Sequence, residues 1–219
     1  VEGAEKVRFE GDQVAVVIAE DEEIAAKARA AIRVEYEDLP AVTDPEEALR
    51  EGAPLLHEDK PGNLVREVHV ERGDPDGVFA EADVIVEGEY STPTQEHAYL
   101  QPESGVGYID EEGRITVYTA GQWAHNDASA IAHALDIPVE KVRVIYPAIG
   151  GAFGGREDIS VQIVLALGAK ALHEKGIDRP VRLVWDREES RIGHYKRHPF
   201  RVKTRWAAAA DGRMLGAEY

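Results

Sequence analysis

Between residues 150 and 157 the chain reads Gly150-Gly151-Ala152-Phe153-Gly154-Gly155-Arg156-Glu157. So many glycines let the main chain approach a ligand closely. Between a strand and a helix, such a loop can present backbone N–H groups to an anion or to a metal-bound oxygen. Two nucleotide-binding alternatives fail on spacing. A P-loop needs lysine and then Ser or Thr after its last glycine, and Gly155 is followed by Arg156 and Glu157. A dinucleotide fingerprint needs a GxGxxG spacing that Gly150, Gly151, Gly154 and Gly155 do not supply. A turn-rich loop without a ligand is the remaining alternative.

Other reactive residues give weaker patterns. Glu157 and Asp158 are adjacent, so their carboxylates point apart; Glu157 is the functional candidate and Asp158 is expected to serve the N-terminus of the following helix. His125 and His133 share a predicted helix but lack the acidic residue of a zinc-ligand motif. His194 and His198 flank Lys196 and Arg197, a cationic setting that disfavours a metal site and reads as surface, and His97 beside Glu96 is equally consistent with a packed histidine. Ser91, Ser104 and Ser129 have no nucleophile-elbow context, and Trp123 beside Gln122 reads as core.

The elements that must position these groups follow from periodicity. Val142–Tyr146 predicts a strand ending at Pro147, and Ile159–His173 predicts a long apolar helix, so the glycine-rich segment is the connection between them. Upstream, a buried strand is predicted over Gln13–Ala19, a helix from Asp21 to about Ala31, and a half-buried strand over Ile32–Tyr36. Asp44-Pro45 predicts a short helix to about Arg50. Strands are predicted at Leu64–Val70, Val84–Tyr90, Gly105–Ile109, Ile115–Tyr118, Val181–Trp185, Phe200–Trp206 and Met214–Tyr219, with helices at Asn126–Leu135 and Arg187–Ile192. The aperiodic stretch 52–63, with two prolines and two glycines, reads as a linker, which places a domain boundary between residues 60 and 61. The fold class is α+β.

With 42 acidic against 25 basic residues the net charge is −17, which opposes contact with nucleic-acid phosphates or anionic membranes. The last third, residues 151–219, carries +4 and is the place for a local anion site. The absence of cysteine excludes disulfides, thiolate metal sites and iron–sulfur ligation within this chain. No apolar run reaches the length of a membrane span and no signal-peptide pattern opens the chain, which favours a cytoplasmic protein. Val1 opens the chain and Met214 is its one methionine, so the sequence reads as an internal segment.

Three further strings accompany the loop at 150–157 in a fixed order: Gln95-Glu96-His97-Ala98-Tyr99-Leu100-Gln101-Pro102-Glu103, Thr119-Ala120-Gly121-Gln122 and, after the loop, Arg197-His198-Pro199-Phe200. Together the four motifs resemble the large subunit of molybdenum hydroxylases of the xanthine dehydrogenase and aldehyde oxidase family. The first looks like that family's QxHxYLEP-type segment, the second like its strand-end glutamine motif, the loop like its GGGFGGKE signature with Ala152 for a glycine and Arg156 for the lysine, and the last matches a further string. The likeness covers about residues 83–219, and residues 1–60 resemble, more weakly, the end of the family's hammerhead α/β domain. It implies a small hammerhead-like remnant at 1–60 followed by the first part of a mixed α+β molybdopterin-binding domain at 61–219.

The resemblance further implies site roles. Gln122 and the Phe153 N–H would hydrogen-bond oxygen ligands of a molybdopterin-held molybdenum without binding the metal directly. Gly151, Ala152 and Gly154 would line the cofactor, and Glu157 would face and orient the substrate. The implied reaction is oxidation of N-heterocycles or aldehydes by attack of a metal-bound hydroxide and hydride transfer, with purines favoured by the glutamate at 157. The catalytic base is matched by no motif here, so the chain is expected to be inactive alone. The remainder of the large subunit, and iron–sulfur and FAD-bearing domains or subunits, are the implied partners. The alternative is a non-catalytic assembly or storage module that keeps the fold.

Overall fold

The computed structural model describes residues 6–219. The chain forms two compact units that interleave in sequence. One joins the segment up to Arg33 to Thr94–His198, and the other joins Val34–Pro93 to Pro199–Tyr219.

The first unit is built on a four-stranded mixed sheet. Its helices are α1 (Glu22–Ala31), α4 (Ala124–Leu135), α5 (Gln162–Glu174) and α6 (Arg187–Gly193), and its strands are β2 (Ser104–Ile109), β3 (Ile115–Thr119), β4 (Val142–Ile145) and β5 (Val181–Val184). The strand order is β4-β3-β2-β5, antiparallel except for the parallel pair β3–β4, which α4 connects. The β2–β3 turn is fixed by Asp110, whose Oδ1 accepts from the backbone of Glu112 and Arg114. Alternate residues Ile115 and Val117 of β3 are buried with Val142 of β4 against Ile131 of α4 and Leu165, Ala166 and Ala169 of α5. Helical spacing puts Leu165 and Ala169 on one face of α5, which is why that face seals the sheet. Helix α6 is started by a capping box, with Asp186 Oδ1 accepting from Glu189 N and Glu189 Oε2 from Asp186 N.

The second unit holds the antiparallel sheet β1-β6-β7, formed by β1 (Val84–Thr92), β6 (Phe200–Ala208) and β7 (Met214–Glu218), with the short helices α2 (Pro45–Ala48) and α3 (Pro75–Glu81). Both helices begin with an Asp-Pro pair in which the aspartate caps and proline takes the first turn. Arg205 of β6 lies over the Phe79 ring of α3, 4.4 Å from its centroid. Core here is thin: Ala207 is fully buried and Ala48 is 9% exposed, and no other described apolar residue of this unit is buried.

The α+β class holds, and the structure corrects several element predictions. Residues 13–19, 32–36 and 64–70 take no regular secondary structure and belong to no ladder. A strand requires a partner edge as well as a pattern, and no described segment pairs with them; Val65 and Val70 stand 77% and 84% exposed. Helix α3 was not anticipated, although Asp74-Pro75 repeats the signal of Asp44-Pro45. Helix α5 starts at Gln162, so Asp158 does not cap it. No helix among the described residues is long and apolar enough to cross a membrane.

Candidate functional site

The glycine-rich segment is the connection between Ile145 at the end of β4 and Gln162 at the start of α5. Gly151, Phe153 and Gly154 have φ of 102°, 53° and 83°, so the chain turns three times through the left-handed region within four residues. That conformation is cheap for glycine and strained for phenylalanine. It prevents a regular hydrogen-bond pattern. Gly150 N donates to Gln101 Oε1 at 2.8 Å and Gly155 N to Ala152 O at 2.8 Å, while the four N–H groups between them, from Gly151 to Gly154, meet no acceptor among the described residues. Phe153 is 78% exposed.

Arg156 fastens this loop to the bed beneath it. Its side chain is buried, and Nε donates to Gly151 O at 3.0 Å while a terminal nitrogen donates to Gln101 O. The guanidinium lies 4.0 Å from the centroid of the Tyr99 ring and 4.0 Å from Glu103 Oε1. Tyr99 and Glu103 are fully buried, and the Tyr99 hydroxyl donates to Glu103 Oε1. Burial, and then the adjoining carboxylate, push the Tyr99 hydroxyl well above the ordinary phenol range, so it remains the donor. A buried cation is thereby matched by a buried anion and by two main-chain carbonyls, the condition for keeping charge out of water.

Gln122 joins the loop from the end of β3. Its backbone N–H donates to Arg156 O at 2.9 Å, and its side-chain Oε1 accepts from Arg156 N at 3.1 Å. Only the carbonyl oxygen of an amide can accept an N–H. The Gln122 NH2 is therefore the end left over, and it donates to nothing among the described residues. Beneath it, Asp127 of α4 accepts at one oxygen from Tyr146 Oη at 2.6 Å and from Gln162 Nε2 at 2.9 Å, tying α4, the end of β4 and the start of α5 into one support. The Glu157 carboxylate is half-buried and has no hydrogen bond or ion pair among the described residues. The structure thus brings Gln122, Gly151, Ala152, Phe153, Gly154 and Glu157 onto or against one loop.

Sequence reasoning named Tyr99, Gln101 and Glu103 within the family-like segment but gave them no role, and it overlooked Asp127 and Gln162. The usable signal was a run of polar residues, Gln101 and Glu103, just before an apolar strand. Two further readings are corrected. His194 is 4% exposed and not on the surface, because α6 and the 94–98 segment close over it, and Trp123 is 49% exposed and not in the core, because it sits at the N-terminus of α4 facing outward.

Loop and support thus expose main-chain N–H groups and one amide NH2 that have no acceptor among the described residues, on the segment that also carries Glu157. Residues 56–219 match the molybdopterin cofactor-binding domain, and residues 3–40 match the a/b hammerhead domain of aldehyde oxidase and xanthine dehydrogenase. The chain belongs to the molybdopterin cofactor-binding domain family of the molybdenum hydroxylases. It is 40% identical to the nicotinate dehydrogenase large molybdopterin subunit of Eubacterium barkeri, over 98% of this chain and 49% of that protein. It is 37% identical to a probable xanthine dehydrogenase subunit of Bacillus subtilis (strain 168), over 96% of this chain and 27% of that one. Among solved structures, quinoline 2-oxidoreductase from Pseudomonas putida 86 superposes with a TM-score of 0.76 at 29% identity, covering 91% of this chain and 25% of that one. The chain therefore spans half or less of the length of these relatives.

Proposed function

We propose that this chain forms one wall of a molybdopterin pocket in a larger hydroxylase that oxidises N-heterocycles, xanthine-like purines among them. The observation that carries the reading is the donor set: four successive loop N–H groups and the Gln122 NH2, all without acceptors among the described residues and all on the segments that Arg156 fastens. Such a set fits a group rich in oxygen acceptors. When bound, molybdopterin supplies the two-electron redox chemistry that these side chains lack. Gln122 and the Phe153 N–H would hold its oxygen ligands, with Gly151, Ala152 and Gly154 against the cofactor. Glu157 would bind a substrate N–H and orient the ring.

The names of the three relatives contain nicotinate, xanthine and quinoline, each an N-heterocycle. We place the domain boundary at residues 60 and 61, the catalytic base in the remainder of the large subunit, and the iron–sulfur and flavin groups on other domains or subunits of a cytoplasmic assembly. The test is Glu157→Ala in the complete protein, assayed on a purine and on a simple aldehyde. Loss of one charge-assisted hydrogen bond should lower purine kcat/KM by about 1.5–3 kcal/mol, roughly 10- to 150-fold, and leave the aldehyde nearly unaffected. Equal losses on both substrates would remove Glu157 from the substrate-facing role.

A further inference from the structure

Glu96, His97 and His194 form a second polar cluster in the first unit, behind the glycine-rich loop. One potential ligand atom from each lies within 4.8 Å of the others. Two chain segments are clamped to create it: Arg197 N donates to Gln95 O at 3.0 Å and Gln95 N to Arg197 O at 3.4 Å, an isolated antiparallel bridge beside the three residues. Ala98 is held at φ 49° and donates its N–H to Glu96 Oε1 at 3.1 Å, a left-handed alanine at the point where Glu96 and His97 are aimed.

The cluster is not satisfied by its own members. Glu96 Oε2, His97 Nδ1 and His194 Nε2 are buried atoms without a hydrogen bond, and the His194 side chain is 1% exposed. His194 Nε2 lies 3.0 Å from Glu96 Oε1, and Lys196 Nζ lies 3.1 Å from Glu96 Oε2; both pairs are close enough to attract, but neither is aligned to bond. Native interiors rarely leave three such atoms together. Two imidazoles and a carboxylate at this separation need only a small contraction to meet a tetrahedral cation. A cavity of about 690 Å³, lined by Glu96, His194 and Lys196 with Phe9, Arg191 and Tyr195, gives a way in and room for a water in the fourth position.

We propose that Glu96, His97 and His194 bind a zinc-class divalent cation, and that Lys196 competes with it for the same carboxylate. Lys196 opposes the metal in two ways. Its ammonium supplies the positive charge that Glu96 otherwise lacks, and it sits 3.1 Å from His194 Nδ1, which forces that nitrogen to be the acceptor and leaves the proton on Nε2. Ligation through Nε2 requires the opposite tautomer, which becomes available when the lysine swings into the cavity. No net proton is released, because the ring proton moves from Nε2 to Nδ1. His97 abuts Gly155, where a Cβ would lie 2.7 Å from the ring, so an ion here would brace the loop from behind.

The experiment uses the complete protein freed of loosely held metal by a chelator, titrated with Zn²⁺ by calorimetry and with Co²⁺ by visible absorption. The double variant His97→Ala/His194→Ala accounts for ions bound elsewhere. One Zn²⁺ per chain, lost at least 100-fold in the double variant and bound about tenfold more tightly in Lys196→Met, is the expected result. The gain in Lys196→Met cannot come from misfolding. Absence of binding in both wild type and Lys196→Met, or binding equally strong in the double variant, would overturn the site.

Discussion

Arg156 illustrates how much one residue decides here. It makes two directed bonds to carbonyls and stacks on Tyr99, three contacts that a planar guanidinium can make together and a point-charge ammonium cannot. Arg156→Lys should therefore lower unfolding stability by about 1.5–3 kcal/mol, measured by denaturant titration, although lysine is the residue in the family motif that the loop resembles. Arg156→Met should cost more, roughly 3–5 kcal/mol, because Glu103 is left as a buried unpaired charge. Asp127 gives a pH signature. Burial raises its pKa above the ordinary 3.8, while the bonds from Tyr146 and Gln162 only moderate the shift. The folded state thus holds this proton more tightly than the unfolded one. The stability it adds is complete below about pH 3.8 and fades as pH rises through the elevated value. Asp127→Asn carries no such proton, so the melting-temperature difference, wild type minus variant, should shrink from pH 4 to pH 7; a constant difference would contradict the assignment. Motif spacing singled out Gln122, the loop and Glu157 as candidates, and the structure joins Gln122 to the loop through the Arg156 backbone. Tyr99, Glu103 and Arg156 were not, since burial of charged groups depends on partners distant in sequence.

At the scale of elements, legibility followed partnership. The strands β1 to β7, each with a neighbour in the chain, were read from their patterns to within a few residues. The apolar runs at 13–19, 32–36 and 64–70 show the same preference and form no sheet, because pattern specifies a face but only a second backbone completes a ladder. The loop and its bed are an element pair of another kind, fitted by contact without secondary structure. A Cβ at Gly155 would lie 2.7 Å from His97 and 3.1 Å from the Tyr99 ring, whereas one at Gly154 meets nothing within 4 Å. Gly155→Ala should cost about 1–3 kcal/mol through overpacking. Gly154→Asn should cost less than about 1 kcal/mol, since asparagine tolerates the left-handed conformation there. Paired thermal melts of the two variants check the order; if Gly154→Asn proves the more damaging, the loop is not seated on the 97–101 segment as described.

For the whole molecule, the notable quantity is apolar surface left in solvent. Leu100 is 89% exposed, Val70 84%, and β1 shows Val84, Ile85 and Val86 to water. Faces of this kind belong to interfaces. The 219-residue chain produced alone is expected to fold, to self-associate, and to carry neither stoichiometric molybdenum nor hydroxylase activity, because a single wall of a pocket forfeits most contacts to the cofactor. Light scattering, elemental analysis and a turnover assay decide it: one molybdenum per chain, or turnover above the blank, would refute the expectation. The donor set also constrains what the complete molecule can accommodate. Among the described residues the N–H groups from Gly151 to Gly154 and the NH2 of Gln122 are unmet donors, while the Phe153 carbonyl and the Glu157 carboxylate are unmet acceptors. In the pocket proposed above, a guest would have to bring acceptors for the donors and an N–H for Glu157, so one that brings acceptors alone would leave the carboxylate unmatched.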